Sequence, residues 1–285
     1  MKTISPMKIG VFDSGVGGLT VHRALLPRIP NAEYLYLCDT ARLPYGSKSQ
    51  ATIARYAVSS FQFLIDQGCE FLVIACNTAS ALALEEIRQT AEPRGIPVVG
   101  VIGPGAAAAA SATATHDALV IATSATVQSH AYAAACQALG LRSIEKACPL
   151  LVPLVEEGWI NHPVTTEVVA IYLSELHQQA AEAGLQPDTI VLGCTHYPLL
   201  RGVIEAAVAK LWPGQPPRVI DSAEATASEV ERQLAHFATA ETAQPSDIPP
   251  PASFFATDSV AKFRQLGTRF LGQAIGEVEL VDLGG

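Results

Sequence analysis

The sequence predicts an α/β fold of two similar, doubly wound domains with mainly parallel sheets and an active site in the cleft between them. Short apolar runs alternate with longer amphipathic stretches, which indicates βαβ units. Several of these runs are apolar throughout, as parallel strands covered on both faces are. The alternation also occurs twice along the 285 residues, a length that suits two modest domains.

The predicted elements alternate along the whole chain. Apolar runs predict strands over residues 7–12, 32–39, 69–75 and 96–102 in the first half, and over 117–123, 142–148, 188–193 and 218–222 in the second. Apolar residues at helical spacing predict helices over 49–68, 80–95 and 166–184.

The two sets of elements define the predicted domains. The first set ends near residue 103, and a glycine- and alanine-rich stretch opens the second. We expect the C-terminal residues to return to the first domain. This gives a first domain of 1–103 plus 222–285 and a second domain of 104–221. The proline-rich segment 243–253 is predicted to be a surface loop.

The composition excludes several classes of protein. Hydrophobic residues make up 49% of the chain and charged residues 16%, which is typical of a globular protein with ample core. The net charge is −9 and the basic residues are not clustered, which argues against a nucleic-acid partner. The N-terminus lacks the apolar core of a signal peptide, and no apolar run reaches the ~18 residues of a membrane span. The sequence therefore predicts a cytoplasmic protein without a membrane partner.

A glycine-rich loop, "DSGVGGLT", follows the first predicted strand, and ligands of open α/β sheets bind at this end of the strands. The loop does not match a dinucleotide-binding or phosphate-binding motif, because Thr20 replaces a glycine and no Gly-Lys pair follows. A small anionic or zwitterionic ligand fits better. Ser14 and the loop N–H groups could bind a carboxylate, and Asp13 could meet an ammonium or orient a neighbour. A helix N-cap with turn glycines remains the alternative.

Two cysteines carry the main functional signal. Cys76 in "ACNTAS" and Cys194 in "GCTHYP" each follow an apolar strand and precede polar residues. A thiolate is favoured at a helix N-terminus, although inert buried cysteines remain the alternative. None of the six cysteines forms a C-x-x-C pair, so we expect free thiols. A zinc site that combines both with His196 has a poor ligand spacing, and no metal is expected.

Proton transfer at a carbon atom is a reaction in which both thiols could take part. Removing a proton from one face of a carbon and returning it to the other requires two equivalent acid/base groups. No lysine has a convincing Schiff-base context, which argues against pyridoxal phosphate. Glu156, in "PLVEEG", could position His196 or meet the substrate ammonium, and a solvated helix end is the alternative. The remaining histidines are expected on the surface or as hydrogen-bonded core residues: His22, His116, His130, His162, His177 and His236.

The motifs "FDSGVGGLTV", "LPYGSKS", "ACNTASA", "PLVEEG" and "GCTHYPLL" occur in this order, and in them the chain resembles the glutamate racemases of the aspartate/glutamate racemase superfamily. The resemblance covers nearly the whole chain, including "FFATDSVAKFRQLGTRFLG" near the C-terminus. It implies an isomerase that interconverts L- and D-glutamate without a cofactor, supplies D-glutamate for peptidoglycan biosynthesis, and forms a homodimer. Aspartate racemase is the nearest alternative. A non-catalytic amino-acid-binding protein is another, but it would need no cysteines.

The resemblance also implies roles for individual residues. Cys76 would take the α-proton from D-glutamate with help from Asp13. Cys194 would take it from L-glutamate with help from Glu156 and His196. The residues that it implies for substrate binding are Asp13, Ser14, Pro44, Tyr45, Gly46, Asn77, Thr78, Thr126, Thr195 and His196.

Overall fold

The computed structural model describes residues 6–235 and 250–284, and over these residues the chain forms two compact units. The first unit takes its described residues from 1–101 and 226–285, and the second comprises 102–225. No helix in the described ranges combines the length and the apolarity that crossing a bilayer requires.

Strands and helices alternate in both units. The first unit contains β1 (Lys8–Asp13), α1 (Leu19–Leu25), β2 (Glu33–Cys38), α2 (Gln50–Asp66), β3 (Phe71–Ile74), α3 (Asn77–Ala91) and β4 (Val98–Gly100). The second contains α4 (Ile102–Ala112), β5 (Asp117–Ala122), α5 (Ser124–Gln128), α6 (Ala131–Ala138), β6 (Arg142–Ala147), α7 (Leu151–Glu156), α8 (Pro163–Glu182), β7 (Thr189–Gly193), α9 (Arg201–Leu211) and β8 (Arg218–Asp221). The chain continues through α10 (Ser222–Ala235), β9 (Ala252–Ala256), α11 (Val260–Leu271) and β10 (Val278–Leu280). Short 3₁₀ turns cover Thr40–Arg42, Tyr45–Ser47, Glu92–Arg94 and Tyr197–Leu200.

The sheet of the first unit is parallel, with the strand order β10-β9-β2-β1-β3-β4. The chain moves from β1 to one side to form β2 and then crosses β1 to form β3 on the other side. The order of the strands therefore reverses between β1 and β3. In open α/β sheets, the crevice at such a reversal is where ligands bind. Asp13 ends β1, and Cys76 comes two residues after the end of β3.

The second unit repeats this arrangement. Its strand order is β6-β5-β7-β8, and all its strand pairs are parallel. The reversal lies between β5 and β7, which pair up to Ala122 and Gly193 at their carboxyl ends. Cys194 follows Gly193 directly. The two cysteines thus follow the third strand of the same four-strand pattern in each unit.

The core residues explain why these segments fold as they do. The strand β3, "FLVI", is buried at every position, which suits a parallel strand with helices on both faces. Helix α2 buries Ile53, Ala57, Phe61 and Leu64, which recur at helical spacing on one side. The helix begins after Ser49, whose hydroxyl accepts a hydrogen bond from the backbone N–H of Thr52.

The predicted α/β class, with two domains and parallel sheets, is confirmed, and the predicted strands end within two residues of the observed ones. Two predicted helix starts are wrong. Helix α3 begins at Asn77 rather than residue 80, because Cys76 caps it, and α8 begins at Pro163 rather than 166, with His162 as its cap. Neither cysteine nor histidine is a usual N-cap, so the sequence did not signal these starts.

The C-terminal part contains one further correction. The predicted proline-rich loop falls outside the described residues over 243–249, but its last two positions, Ala252 and Ser253, belong to β9. Pairing with β2 from Tyr34 onwards draws them into the sheet. The domain boundaries at 103/104 and 221/222 stay a prediction.

Candidate active site

The candidate residues of the first unit lie where β1 and β3 end. Cys76 is 5% exposed, and its Sγ lies 3.2 Å from Oγ of Ser14, within hydrogen-bonding distance. The same Sγ accepts a hydrogen bond of 3.4 Å from the backbone N–H of Ala79 in the first turn of α3. The thiol therefore caps helix α3. Asn77 and Thr78 follow it as buried residues of that turn.

The glycine-rich loop folds around the carboxylate of Asp13. Its Oδ2 accepts hydrogen bonds from the backbone N–H groups of Gly18, at 2.7 Å, and Gly15, at 3.3 Å. A Cβ atom at Gly18 would lie 2.5 Å from Cβ of Asp13 and 2.9 Å from Cβ of Ala75, so only glycine fits there. These two N–H groups bind the loop's own carboxylate, whereas the sequence suggested that the loop would bind a carboxylate of the ligand.

The surroundings of Cys76 favour its protonated form. Burial, followed by the negative charge of Asp13, raises the pKa of Cys76 to about 12. The hydrogen bonds with Ser14 and the N–H of Ala79 act in the opposite direction but are weaker. At neutral pH, Cys76 is therefore a thiol that can donate a proton.

The loop with Pro44, Tyr45 and Gly46 follows β2, the neighbour of β1. Tyr45 is 2% exposed, and its hydroxyl donates a hydrogen bond of 2.6 Å to Oδ2 of Asp39. Burial and the adjacent Asp39 raise the pKa of Tyr45. A carboxylate only accepts hydrogen bonds, so the single hydroxyl proton of Tyr45 is committed to Asp39. Pro44 and Gly46 are exposed.

The candidate residues of the second unit lie around the end of β7. Cys194 is 5% exposed, and its Sγ lies 4.0 Å from Nδ1 of His196. Nδ1 also lies 3.4 Å from Oγ1 of Thr195. On the other side of the ring, Nε2 lies 3.2 Å from Oε1 of Glu156 at the end of α7. The structure thus brings together the four residues of this unit whose sequence context suggested a shared role.

These contacts favour a protonated imidazole at His196. Burial lowers the pKa of His196, but hydrogen bonds to Cys194 and Glu156 outweigh it and raise the pKa above its usual value. A protonated ring donates from both nitrogens, one towards Sγ and the other towards the carboxylate. A positive charge beside Sγ stabilises negative charge on the sulfur.

Thr126 and Gly193 are two further residues near the carboxyl ends of the strands of the second unit. Thr126 is fully buried in α5, directly after β5, and its Oγ1 lies 3.0 Å from Oγ1 of Thr123. A Cβ atom at Gly193 would lie 2.9 Å from the backbone oxygen of Ile121 and 2.9 Å from the ring of Tyr132. This close packing fixes the position of Gly193, and therefore of Cys194, which follows directly after the end of β7.

Two features of the structure have no signal in the sequence. The first is the contact between Ser14 and Cys76. His22 was expected on the surface or as a hydrogen-bonded core residue, and this is wrong. It is 1% exposed, and neither ring nitrogen has a hydrogen-bond partner in the described structure. The rings of Tyr34, Tyr36 and Phe254 surround it edge-on instead. His236 lies outside the described residues.

Comparison with known proteins places this arrangement in a family. The model of the Asp/Glu/Hydantoin racemase family matches residues 20–230. The glutamate racemase of Koribacter versatilis is 48% identical over 97% of this chain and 98% of its own length. The chain belongs to the glutamate racemase family. It is therefore classed with the amino-acid racemases, which are isomerases.

Solved structures of racemases share the fold over nearly the whole chain. The glutamate racemase isoform RacE1 from Bacillus anthracis is 36% identical, with a TM-score of 0.86 over 98% of this chain and 99% of that chain. The glutamate racemase from Francisella tularensis, solved in complex with D-glutamate, is 34% identical, with a TM-score of 0.85 over the same shares.

Proposed function

We propose that this chain interconverts L- and D-glutamate without a cofactor, by transferring the α-proton between Cys76 and Cys194. One observation carries the proposal. Each thiol follows the third strand of the same four-strand pattern, next to the point where the order of the strands reverses. In a reaction that runs equally in both directions, each group acts as the acid in one direction and as the base in the other, and a repeated fold supplies two groups of the same kind.

In each turnover one thiol of the pair gains a proton and the other loses one, so the number of protons is conserved. In the direction from L- to D-glutamate, the thiolate of Cys194 takes the α-proton and the C–H bond breaks. The thiol of Cys76 gives its proton to the opposite face, where a new C–H bond forms. The roles reverse in the other direction. Protonated His196 stabilises the thiolate of Cys194, and the raised pKa of Cys76 keeps its proton available at neutral pH.

Neighbouring residues assist each thiol. Asp13 carries a fixed negative charge beside Cys76, and this charge favours return of a proton to that sulfur. Glu156 holds His196 through Nε2, which directs Nδ1 towards Cys194. Both cysteine residues are only 5% exposed, and exclusion of water from a site strengthens such interactions during the reaction.

The remaining proposed residues bind the substrate. Asn77, Thr78, Thr126 and Thr195 are buried polar side chains of the strand ends and of the helix turns that follow them. In the loop at 44–46, the hydroxyl of Tyr45 is used by Asp39, so we assign binding to the backbone N–H groups of Tyr45 and Gly46. Ser14 serves both the substrate and Cys76. The product, D-glutamate, would supply peptidoglycan synthesis, and we expect a homodimer.

Solvent exchange tests the proposal directly. The purified protein is incubated with L-glutamate in D₂O without added cofactor, and circular dichroism and α-deuterium content are followed together. We expect the optical signal to decay to zero while deuterium enters the α-position. Activity on aspartate but not on glutamate would select the alternative substrate. Racemisation without deuterium uptake would contradict proton transfer through exchangeable thiols.

A further inference from the structure

A buried carboxylate lies beneath the proposed substrate loop. Asp39 follows β2 and is completely buried. Its Oδ2 accepts the hydrogen bond from the hydroxyl of Tyr45 and lies 3.4 Å from Nη1 of Arg42. Its Oδ1 accepts a hydrogen bond of 3.0 Å from the hydroxyl of Thr257. Asp39 thus joins the loop at 44–46 to a residue more than 200 positions away in the chain.

Arg42 extends this connection to the end of the described chain. Its Nη2 donates to the backbone oxygen of Leu283 at 3.0 Å and also to that of Gly284. Nη1 donates to Oγ of Ser59 in α2 at 2.8 Å. The guanidinium group lies 4.6 Å from the ring centroid of Tyr56, and the side chain is only 10% exposed. Both terminal nitrogens of the guanidinium group therefore donate hydrogen bonds.

A second set of hydrogen bonds ties the same loop to the residues after β9. The backbone N–H of Ala41 donates to Oγ1 of Thr257 at 2.9 Å. The hydroxyl of Thr40 donates to the backbone oxygen of Asp258 at 2.6 Å, and the N–H of Asp258 donates back to that hydroxyl at 2.9 Å. The polar groups that precede the loop at 44–46 are thus held mainly by the C-terminal part of the chain.

We propose that Arg42 is a positioning residue for the substrate loop at 44–46, and that the C-terminal residues 283 and 284 act on substrate binding through it. The proposal rests on the proposed function, because it assigns the loop to glutamate. Arg42 supplies the cation that a buried Asp39 needs, since an unpaired buried carboxylate is strongly destabilising. Asp39 in turn holds Tyr45. A loop held in its binding conformation costs less entropy when the ligand binds.

Three variants test the chain of contacts. Arg42→Gln removes the cation, Arg42→Lys keeps the charge but loses the planar fork, and a deletion of residues 283–285 removes the two carbonyl groups. Arg55→Gln is the matched control, because its guanidinium lies 5.4 Å from the ring centroid of the same Tyr56 but is exposed and makes no contact with Asp39 in the described structure. Thermal unfolding is measured to check that each variant is folded.

We expect Arg42→Gln to raise the KM for both enantiomers by about tenfold, with kcat within about twofold of wild type, because binding and not proton transfer is disturbed. Arg42→Lys and the deletion should raise KM by a smaller factor. Combining the deletion with Arg42→Gln should add little, since the carbonyl groups act through Arg42. Unchanged KM values in Arg42→Gln, or additive effects in the combined variant, would overturn the proposal.

Hydrogen exchange separates this proposal from the proposed function. In Arg42→Gln and in the deletion variant, we expect faster amide exchange over residues 40–48 than in wild type, and no change in Arg55→Gln. This result does not depend on which reaction the protein catalyses. A wild-type protein without racemase activity would refute the proposed function alone. Unchanged exchange over 40–48 would refute the positioning role, whatever the activity.

Discussion

At the scale of single residues, the two candidate thiols differ in the charges beside them. Cys76 lies near the carboxylate of Asp13, which favours a proton on the sulfur. Cys194 lies beside His196, which the contact with Glu156 helps to keep protonated. The two thiols thus differ in the sign of the charge nearest to each of them, and this difference agrees with the proposed roles of Cys76 as acid and Cys194 as base in the direction from L- to D-glutamate.

Titration of Cys76 tests this asymmetry. The thiolate absorbs in the ultraviolet, and the difference between wild type and Cys76→Ala isolates this group. We expect a pKa well above that of a free cysteine. Asp13→Asn should lower it, because a negative charge is removed, and Ser14→Ala should raise it, because a hydrogen bond that lowers it is lost. Shifts in the same direction for both variants would contradict the assigned surroundings.

His22 makes stability depend on pH. Burial lowers the pKa of His22 from 6.5 to about 3. The folded state keeps the ring neutral, whereas the unfolded state binds a proton below pH 6.5, so stability is lost as the pH falls from there towards 3. We expect this group to remove about 2 kcal/mol from the free energy of unfolding between pH 7 and pH 5.

The variant His22→Leu checks this origin. It replaces a buried ring without hydrogen-bond partners by an apolar side chain of similar size, which is neutral or stabilising in such places. Urea denaturation at pH 7 should give a stability equal to or above that of wild type, and at pH 5 the advantage should grow by about 2 kcal/mol. An identical pH dependence in the two proteins would show that His22 does not titrate on unfolding.

At the scale of elements, the turn between β1 and α1 shapes the surroundings of Asp13 in the first unit. Gly18 lets the turn pass close to Asp13 and Ala75 while its N–H binds the carboxylate. Gly18→Ala should lower the free energy of unfolding by about 1–3 kcal/mol, because the new Cβ would overlap the Cβ atoms of Asp13 and Ala75. It should also reduce racemisation by displacing Asp13.

Gly202→Ala is the matched comparison for that prediction. Gly202 lies in α9, where an added Cβ would meet nothing within 4 Å. Alanine in a helix is more favourable than glycine by about 0.5–1 kcal/mol, so this variant should be more stable and fully active. Equal effects of the two substitutions in thermal unfolding would mean that close packing at Gly18 is unimportant.

The elements also show which features the sequence could predict. Apolar strands such as β3 carry a local signal, and both cysteines were found because they follow such strands. The contacts of Arg42 with the carbonyl groups of Leu283 and Gly284 join residues more than 240 positions apart. They have no local pattern, because backbone carbonyl groups are the same at every residue. The cap formed by Cys76 was missed for another reason, since sulfur is a weak hydrogen-bond acceptor.

At the scale of the whole molecule, the repeated strand order accounts for a pair of thiols in one chain. The first unit extends the common pattern with β9 and β10 beside β2, and the second does not. The sequence shows a weak likeness between the halves in the repeated alternation of strands and helices, and shows it most clearly around Cys76 and Cys194. The common strand order explains it, because equivalent strand ends place equivalent side chains.

Thermodynamics constrains what variants of such an enzyme can do. The two enantiomers of glutamate have equal free energies in water, so kcat/KM must be the same in both directions for every variant. Loss of one thiol therefore lowers kcat/KM equally for L- and D-glutamate, although it removes the base in one direction and the acid in the other.

The most direct measurement of the central claim is kcat/KM for L- and D-glutamate in Cys76→Ala and Cys194→Ala. Cys136→Ala, which removes a buried thiol of α6, serves as the folded control. We predict that each of the first two variants loses at least about 10³-fold in both directions, while the control keeps most of its activity. Wild-type turnover in either Cys76→Ala or Cys194→Ala would contradict the account.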